Sequence, residues 1–372
     1  MHKVFAHTCL ALAGASVLLA DGTGPFVGKA LVPKYDIWMY PHGSGGARET
    51  ASTFTALPSP ATETHVEDRF GQFVIRFDTT SIAAAGLGVD NYQPERIVLT
   101  AALVTGGIVY DPTPDAYQTS APKGTPDLDP GRPLEVHGTG FRGGATVSNY
   151  NESSSYGNGS IHGRNAYAMG YTPAGVARDV SHNVTEGFDS IPWGVGRIYL
   201  RSGDGAPDVE LNPGAAVPAP DGETPPPVVK FELNLALPGV AAYVRESLNR
   251  GYIWLTISSL HSTTQNAASG YPAFYTKEHP EHAMFGDVAA TLDVEYSLPI
   301  RVLSFSRNAT TNTASISWNA SKGYKYVLQR SEELTAGSWV PVNTYQPTDS
   351  GTLTWSGPSA SPKAFYRVIR TK

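Results

Sequence analysis

The segment KFELNLAL, residues 230–237, puts Phe231, Leu233, Leu235 and Leu237 on one face of an extended chain and Lys230, Glu232 and Asn234 on the other. Side chains of a strand alternate between its two faces, so one apolar row opposite one polar row predicts a half-buried strand. QFVIRFD at 72–78 repeats the pattern, with Phe73, Ile75 and Phe77 opposite Gln72, Arg76 and Asp78. TLDVEY at 291–296 sets Leu292, Val294 and Tyr296 against Thr291, Asp293 and Glu295. GYIWLTISSL, 251–260, is apolar on both faces for most of its length and reads as a central strand. Charged residues make up only 16% of the chain, against 38 Gly and 29 Pro, which favours short strands joined by turns over long charged helices. The expected class is therefore all-β. One helix is predicted in PGVAAYVRESLNRG, with Pro238 near its start and Gly251 just past its end.

The length of 372 residues suits two domains or one large β domain. A net charge of -6 speaks against a nucleic-acid footprint and against docking on an anionic membrane. The opening stretch is apolar from Val4 to Ala20 after a short basic start, which predicts a signal peptide over residues 1–20 with cleavage near Ala20. A retained anchor is the competing reading. The only cysteine, Cys9, falls inside this leader, so the mature chain is expected to carry no disulfide and no thiolate metal site. An exported, extracellular or cell-surface protein without integral membrane association follows.

Two stretches rich in Pro, Gly and Asp, 111–133 and 202–227, read as long loops. A third, NYNESSSYGNGSIHGRNAYAMGY at 149–171, is polar, glycine-rich and aromatic. Loops of this length in a compact domain are often functional. Composition shifts near Leu298–Pro299. Beyond it, TASISWNAS, YKYVLQRSEEL, SWVPVN, GTLTWSG and AFYRVIRTK predict a compact β unit with Trp318, Tyr326, Leu328, Trp339 and Tyr366 as its aromatic core.

Several of these stretches carry a family likeness. KYDIWMY, RFGQFVIRFDTTSI followed by ERIVLTAALV, and WLTISSL followed by PAFYTKEHPEHAMFGDVAATLDVEY resemble the strands of the DNRLRE-type secreted jelly-roll family, which is close to carbohydrate-binding modules. The likeness spans both ends of residues 33–298 and is weak across roughly 105–225. It implies a jelly-roll β-sandwich with long loop insertions on an exported, polysaccharide-associated protein. YVLQRSEELTAGSWVPV and the final AFYRVIR resemble a small fibronectin-type-III-like, immunoglobulin-class sandwich over 299–372, of the kind that ends many exported bacterial proteins.

A sugar site needs flat apolar faces with polar groups at their rim. Three patches offer these: Tyr156, Tyr167 and Tyr171 with Tyr150 and Arg164; Trp193, between Pro192 and Gly194, with Arg197; and Tyr271 and Tyr275 with Phe274 and Lys277. For each aromatic the competing reading is ordinary core packing. Calcium would suit oxygen-rich loops, with Asp127 and Asp129 in one and Asp204, Asp208 and Glu210 in the other, although Asp and Gly also serve plain turns. His279 and His282 lie three apart in YTKEHPEHAMFGD, but Pro280 between them argues against a helical metal pair and for a structural loop.

Catalytic signatures are sparse. No Gly-x-Ser-x-Gly elbow, P-loop or dinucleotide fingerprint occurs. Glu232 and Asp293 are carboxylates of the type a glycosidase pairs, and Tyr275 with His279 would be a lyase pair. The expected role is a non-catalytic module that binds polysaccharide. The alternatives are a structural envelope or matrix protein without a small ligand, and a polysaccharide lyase or glycoside hydrolase.

Overall fold

The computed structural model describes residues 18–20, 23–30, 32–40, 48–55, 68–119, 129–203, 205–261, 271–282, 288–320, 324–348, 351–359 and 364–371. Most of the expected leader, and with it Cys9, lies outside the described residues. The protein is an all-β sandwich that divides into two compact units. The larger comprises Val27–Ala83 and Arg96–Glu295; the smaller comprises Met1–Phe26, Ala84–Glu95 and Tyr296–Lys372. No helix among the described residues is long and apolar enough to cross a membrane.

The larger unit is built on two sheets. The strands are β1 (Thr23–Ala30), β2 (Tyr35–Met39), β3 (Arg69–Asp78), β4 (Gln93–Ala102), β5 (Leu134–Phe141), β6 (Ala166–Tyr171), β7 (Arg197–Leu200), β8 (Val228–Glu232), β9 (Tyr252–Ser259) and β10 (Thr291–Leu298). One sheet runs β6-β5-β9-β3-β2 and the other β7-β8-β4-β10-β1. A short strand, Val209–Glu210, lies outside β7, and apart from β2 and β7 the other eight strands are lettered B to I in chain order. The two sheets are then C-H-E-F and B-I-D-G, the interleaved order of a jelly roll.

The expected central strand is β9, which pairs on one side with β3 and on the other with β5. β3 was expected to be half-buried, yet Gln72 and Val74 are as deeply buried as Phe73 and Ile75. The reason is a second core on the far face of this sheet, where Val74, Ile37, Met39 and Trp254 are covered by Tyr150, Tyr156 and Ala166. The tyrosine-rich stretch is thus a packed layer, drawn there because the sheet's second face is itself apolar.

The strand in KFELNLAL ends at Glu232, earlier than its alternation suggests. Asn234 stops it: its side-chain oxygen accepts the Ala236 N–H at 3.1 Å, an Asx turn that competes with the ladder. The predicted helix follows as α2, Val240–Arg250; the earlier α1, Asn183–Glu186, is a single turn. Gly239 and Gly251 flank α2 at φ 86° and 87°, left-handed conformations that suit glycine. Val240, Tyr243, Val244 and Leu248 form its buried stripe, and the Tyr243 hydroxyl donates to the Trp254 carbonyl at 2.7 Å.

The smaller unit has strands β11 (Val302–Asn308), β12 (Thr313–Ala320), β13 (Lys325–Ser331), β14 (Val340–Tyr345), β15 (Gly351–Pro358) and β16 (Phe365–Thr371). They form the sheets β11-β12-β15 and β14-β13-β16, with Leu18–Ala20 alongside β16. Lettered A, B, C, C′, E and F, the partition is A-B-E against C′-C-F, as in immunoglobulin-type sandwiches. Trp355 meets Tyr366 at 5.7 Å and Trp318 meets Tyr345 at 5.3 Å, aromatic pairs that join the two sheets. Trp339, expected in this core, is half-buried under the Arg367 guanidinium, and Trp355 takes a core place. The segment 84–95 belongs here as well: Arg301 donates to the Asp90 carbonyl at 2.9 Å and the Asn319 amide to Asn91 at 3.3 Å.

Candidate ligand groove

The outer face of the second sheet forms the floor of an open groove of about 970 Å³. Alternation along three neighbouring strands puts Arg96 and Val98 of β4, Lys230 and Glu232 of β8, and Arg197 and Tyr199 of β7 on that face. Two proline-bearing segments, 112–116 and 189–195, make the walls. The walls are tied together by the Tyr117 N–H, which donates to Asp189 Oδ1 at 2.9 Å.

Register places Arg197 directly opposite Lys230. Like charges across a strand pair are destabilising, so carboxylates are drawn in. Arg197 pairs with Glu210 at 3.3 Å and Lys230 with Asp208 at 2.7 Å. Arg96 bridges Glu232 at 3.2 Å and Glu295 at 3.3 Å. The Lys230 ammonium also lies 4.5 Å from the centre of the Tyr199 ring. Burial and the neighbouring Glu210 push the Tyr199 phenol up, so it remains a hydroxyl at neutral pH and donates to Glu210 at 3.3 Å.

A buried polar network anchors the 189–195 wall. Arg69 Nη1 lies 2.7 Å from Glu135 Oε2, and Arg69 Nη2 donates to Ser190 at 3.1 Å. Burial alone would raise Glu135, but Arg69 and His137 outweigh it and hold the carboxyl below its usual range. Burial lowers His137, which is therefore neutral at pH 7. Further along, the backbone N–H of Trp193 donates to the Val136 carbonyl at 2.9 Å, and Gly194 pairs with Val136. The indole of Trp193 crosses β5 so closely that a Cβ at Gly138 would sit 2.1 Å from its ring.

The residues singled out in the sequence fall into different places. Arg197 lies in the groove. Trp193 lines it only from beneath: it is 0% exposed, stacked on Tyr171 at 5.7 Å and edge-on to Tyr243 at 4.9 Å. Tyr156 and Arg164 are buried, with Arg164 Nη1 donating to the Arg69 carbonyl. Tyr167 is half-buried under the Arg142 guanidinium at 3.8 Å. Tyr271 is exposed beside Phe54. Tyr275 is buried, its hydroxyl donating to Glu281 at 2.7 Å. Trp193, Tyr156, Tyr275 and Arg164 therefore present no free face to a sugar. The apolar second face of the first sheet takes Tyr156, the close approach at Gly138 takes Trp193, Tyr275 packs with Ala102, Val228 and Val288, and Arg164 is engaged by the Arg69 carbonyl.

Lys277 is held by Asp36, Glu152 and Glu278. Those three carboxylates bring ligand oxygens within 4.8 Å of one another, and the ammonium is the cation they surround. Burial pushes Asp36 up to about 7 against the opposing pull of Lys277. Asp129 joins Asp111 and Asp115 in a second such cluster, in which the Arg132 guanidinium pairs with Asp115 at 2.5 Å and the Thr113 hydroxyl lies 2.6 Å from Asp111 and 2.7 Å from Asp129. Asp127 and Asp204 lie outside the described residues, and Asp208 is engaged by Lys230. His279 packs edge-on against Tyr275 at 4.5 Å; neither it nor His282 joins a metal-capable cluster among the described residues. Glu232 is paired with Arg96, and Asp293 lies 4.0 Å from Lys29.

No local sequence pattern marks Arg96, Tyr199 and Lys230 as a site. Lys230 and Glu232 are legible only as the polar face of KFELNLAL; RIYL at 197–200 is too short to announce itself as a strand. Compared with known proteins, the chain matches no family model, no curated protein and no solved structure.

Proposed function

We propose that the groove on the second sheet binds a polysaccharide chain, and that the protein is a non-catalytic module of an exported or cell-surface protein. The observation that carries this is the facing pair Arg197 and Lys230, each balanced by a carboxylate and set along an open trough where both can also donate to a ligand. The lining offers three cations, Arg96, Arg197 and Lys230, and three carboxylates, Asp115, Asp189 and Glu232. Such a balance suits a neutral polymer whose hydroxyls both donate and accept. The walls are held by prolines and by the Arg69 network, so little ordering is left to the moment of binding. The apolar leader and the likeness to secreted jelly rolls support export, and a structural calcium would fall to Asp111, Asp115 and Asp129, in competition with Arg132. A polysaccharide pull-down, with and without calcium, tests this alongside an assay for cleavage products. Retention without products is expected; products would replace the module by a lyase or hydrolase.

A structural role in an envelope or matrix has one feature in its favour. β14 is the edge of its sheet and exposes Val340 and Val342. Retention of no polysaccharide, together with concentration-dependent self-association, would favour that role.

A further inference from the structure

Beside the charged groove lies a second cavity of about 270 Å³, and the two share Ile191, Trp193 and Leu237. Tyr171, Pro173 and Pro238 complete most of its lining, which is almost wholly apolar. We propose that this cavity is a subsite for O-acetyl substituents carried by the polysaccharide in the groove. The proposal rests on the polysaccharide reading of that groove.

The chemistry narrows the occupant. The indole Nε1 of Trp193 is buried and has no acceptor among the described residues. A buried donor without a partner costs free energy that a ligand acceptor can recover. A sugar ring would bring several hydroxyls into apolar surroundings and leave their hydrogens unpaired. An acetyl ester brings a carbonyl oxygen to accept one hydrogen bond, a methyl group for the apolar lining, and no donor of its own. Ile191, Trp193 and Leu237 line both spaces, so the cavity lies next to the trough in which the polymer backbone passes over Arg197 and Lys230.

Ile191 is a second, independent sign. It has φ 44°, a left-handed conformation that is an outlier for a β-branched residue, and it precedes Pro192. Held there, the residue lines both cavities at once. Strain of this kind persists where the surroundings enforce it, and it gathers at binding sites.

The test is a calorimetric titration of the full chain with O-acetylated glucomannan and O-acetylated xylan, each compared with the same polymer after alkaline deacetylation. The wild type is expected to bind at least one acetylated form about tenfold more tightly than its deacetylated counterpart, the worth of one recovered hydrogen bond. Pro173→Trp, which fills the exposed mouth of the cavity and lies outside the groove, is expected to erase that preference and keep binding to the deacetylated polymer. Trp193→Phe, which removes the indole donor together with part of the ring, is expected to reduce the preference. Equal binding of both forms by the wild type, or a preference that Pro173→Trp leaves intact, would overturn the acetyl subsite while leaving the groove in place. Binding of neither form would overturn both.

Discussion

Two arginine–glutamate pairs in the larger unit have similar chemistry and opposite surroundings. Arg69 and Glu135 are each 2% exposed, 2.7 Å apart, and wired to His137, Ser190, Ser258 and Asn183. Arg197 and Glu210 lie 3.3 Å apart on the groove, with exposures of 63% and 34%. The buried pair has left water behind and depends on its own network to satisfy it. The exposed pair keeps its water and can exchange it for the hydroxyls of a ligand. One pair shapes the wall of the site and the other meets what enters it.

Breaking each pair in the same way gives the largest contrast. Glu135→Ala leaves Arg69 charged in the core and is expected to cost about 3–5 kcal/mol of stability, whereas Glu210→Ala, which also strips the buried Tyr110 hydroxyl of its acceptor, costs about 1–3 kcal/mol. Urea unfolding of the two variants measures both. Trp193→Ala belongs with the buried group and should cost about 3–5 kcal/mol by opening a cavity beside Gly138 and Tyr171. A Trp193→Ala variant with wild-type stability would show the indole to be a groove residue instead.

Asp36 sharpens the comparison through pH. Burial raises its folded-state pKa to about 7, while the unfolded chain releases that proton near pH 4. Between these values the folded state holds a proton that the unfolded state has lost, so stability falls as pH rises from about 4 to 7. Asp36→Asn removes this contribution and is expected to flatten the curve of unfolding free energy against pH over that window. A curve unchanged by the substitution would mean that Lys277 keeps Asp36 ionised throughout. The smallest effect is expected from salt: with cations and carboxylates balanced in the groove, polysaccharide affinity should change less than about threefold between 50 mM and 500 mM sodium chloride, since no net charge is neutralised on binding. A steep salt dependence would point to a polyanion.

The jelly-roll strands were legible because their alternation is long and clean: Phe73, Ile75 and Phe77 in β3, and Leu292, Val294 and Tyr296 in β10, are all buried. The second core was harder to read. Its signs, Val74 on the nominally polar face of β3 and apolar residues on both faces of β9, are visible only one residue at a time, and the covering tyrosines come from a glycine-rich loop distant in sequence. The groove was less legible still. Arg197 was picked for its charge, but its setting opposite Lys230 depends on a register between β7 and β8 that no local pattern encodes. Aromatic residues near glycine and proline suggest sugar contacts at Trp193 and Tyr156; the Trp193 ring is instead packed closely over Gly138, a residue of β5 distant in sequence.

The most direct test of the groove is calorimetric titration of a neutral polysaccharide retained by the wild type into the double variant Arg197→Ala, Lys230→Ala, with Tyr167→Ala as the comparison on the other sheet. Loss of about tenfold or more in affinity for the double variant, with unfolding free energy within about 1 kcal/mol of wild type and binding intact in Tyr167→Ala, is the expected result. Unchanged affinity in the double variant, or loss confined to Tyr167→Ala, would contradict a binding site on the second sheet.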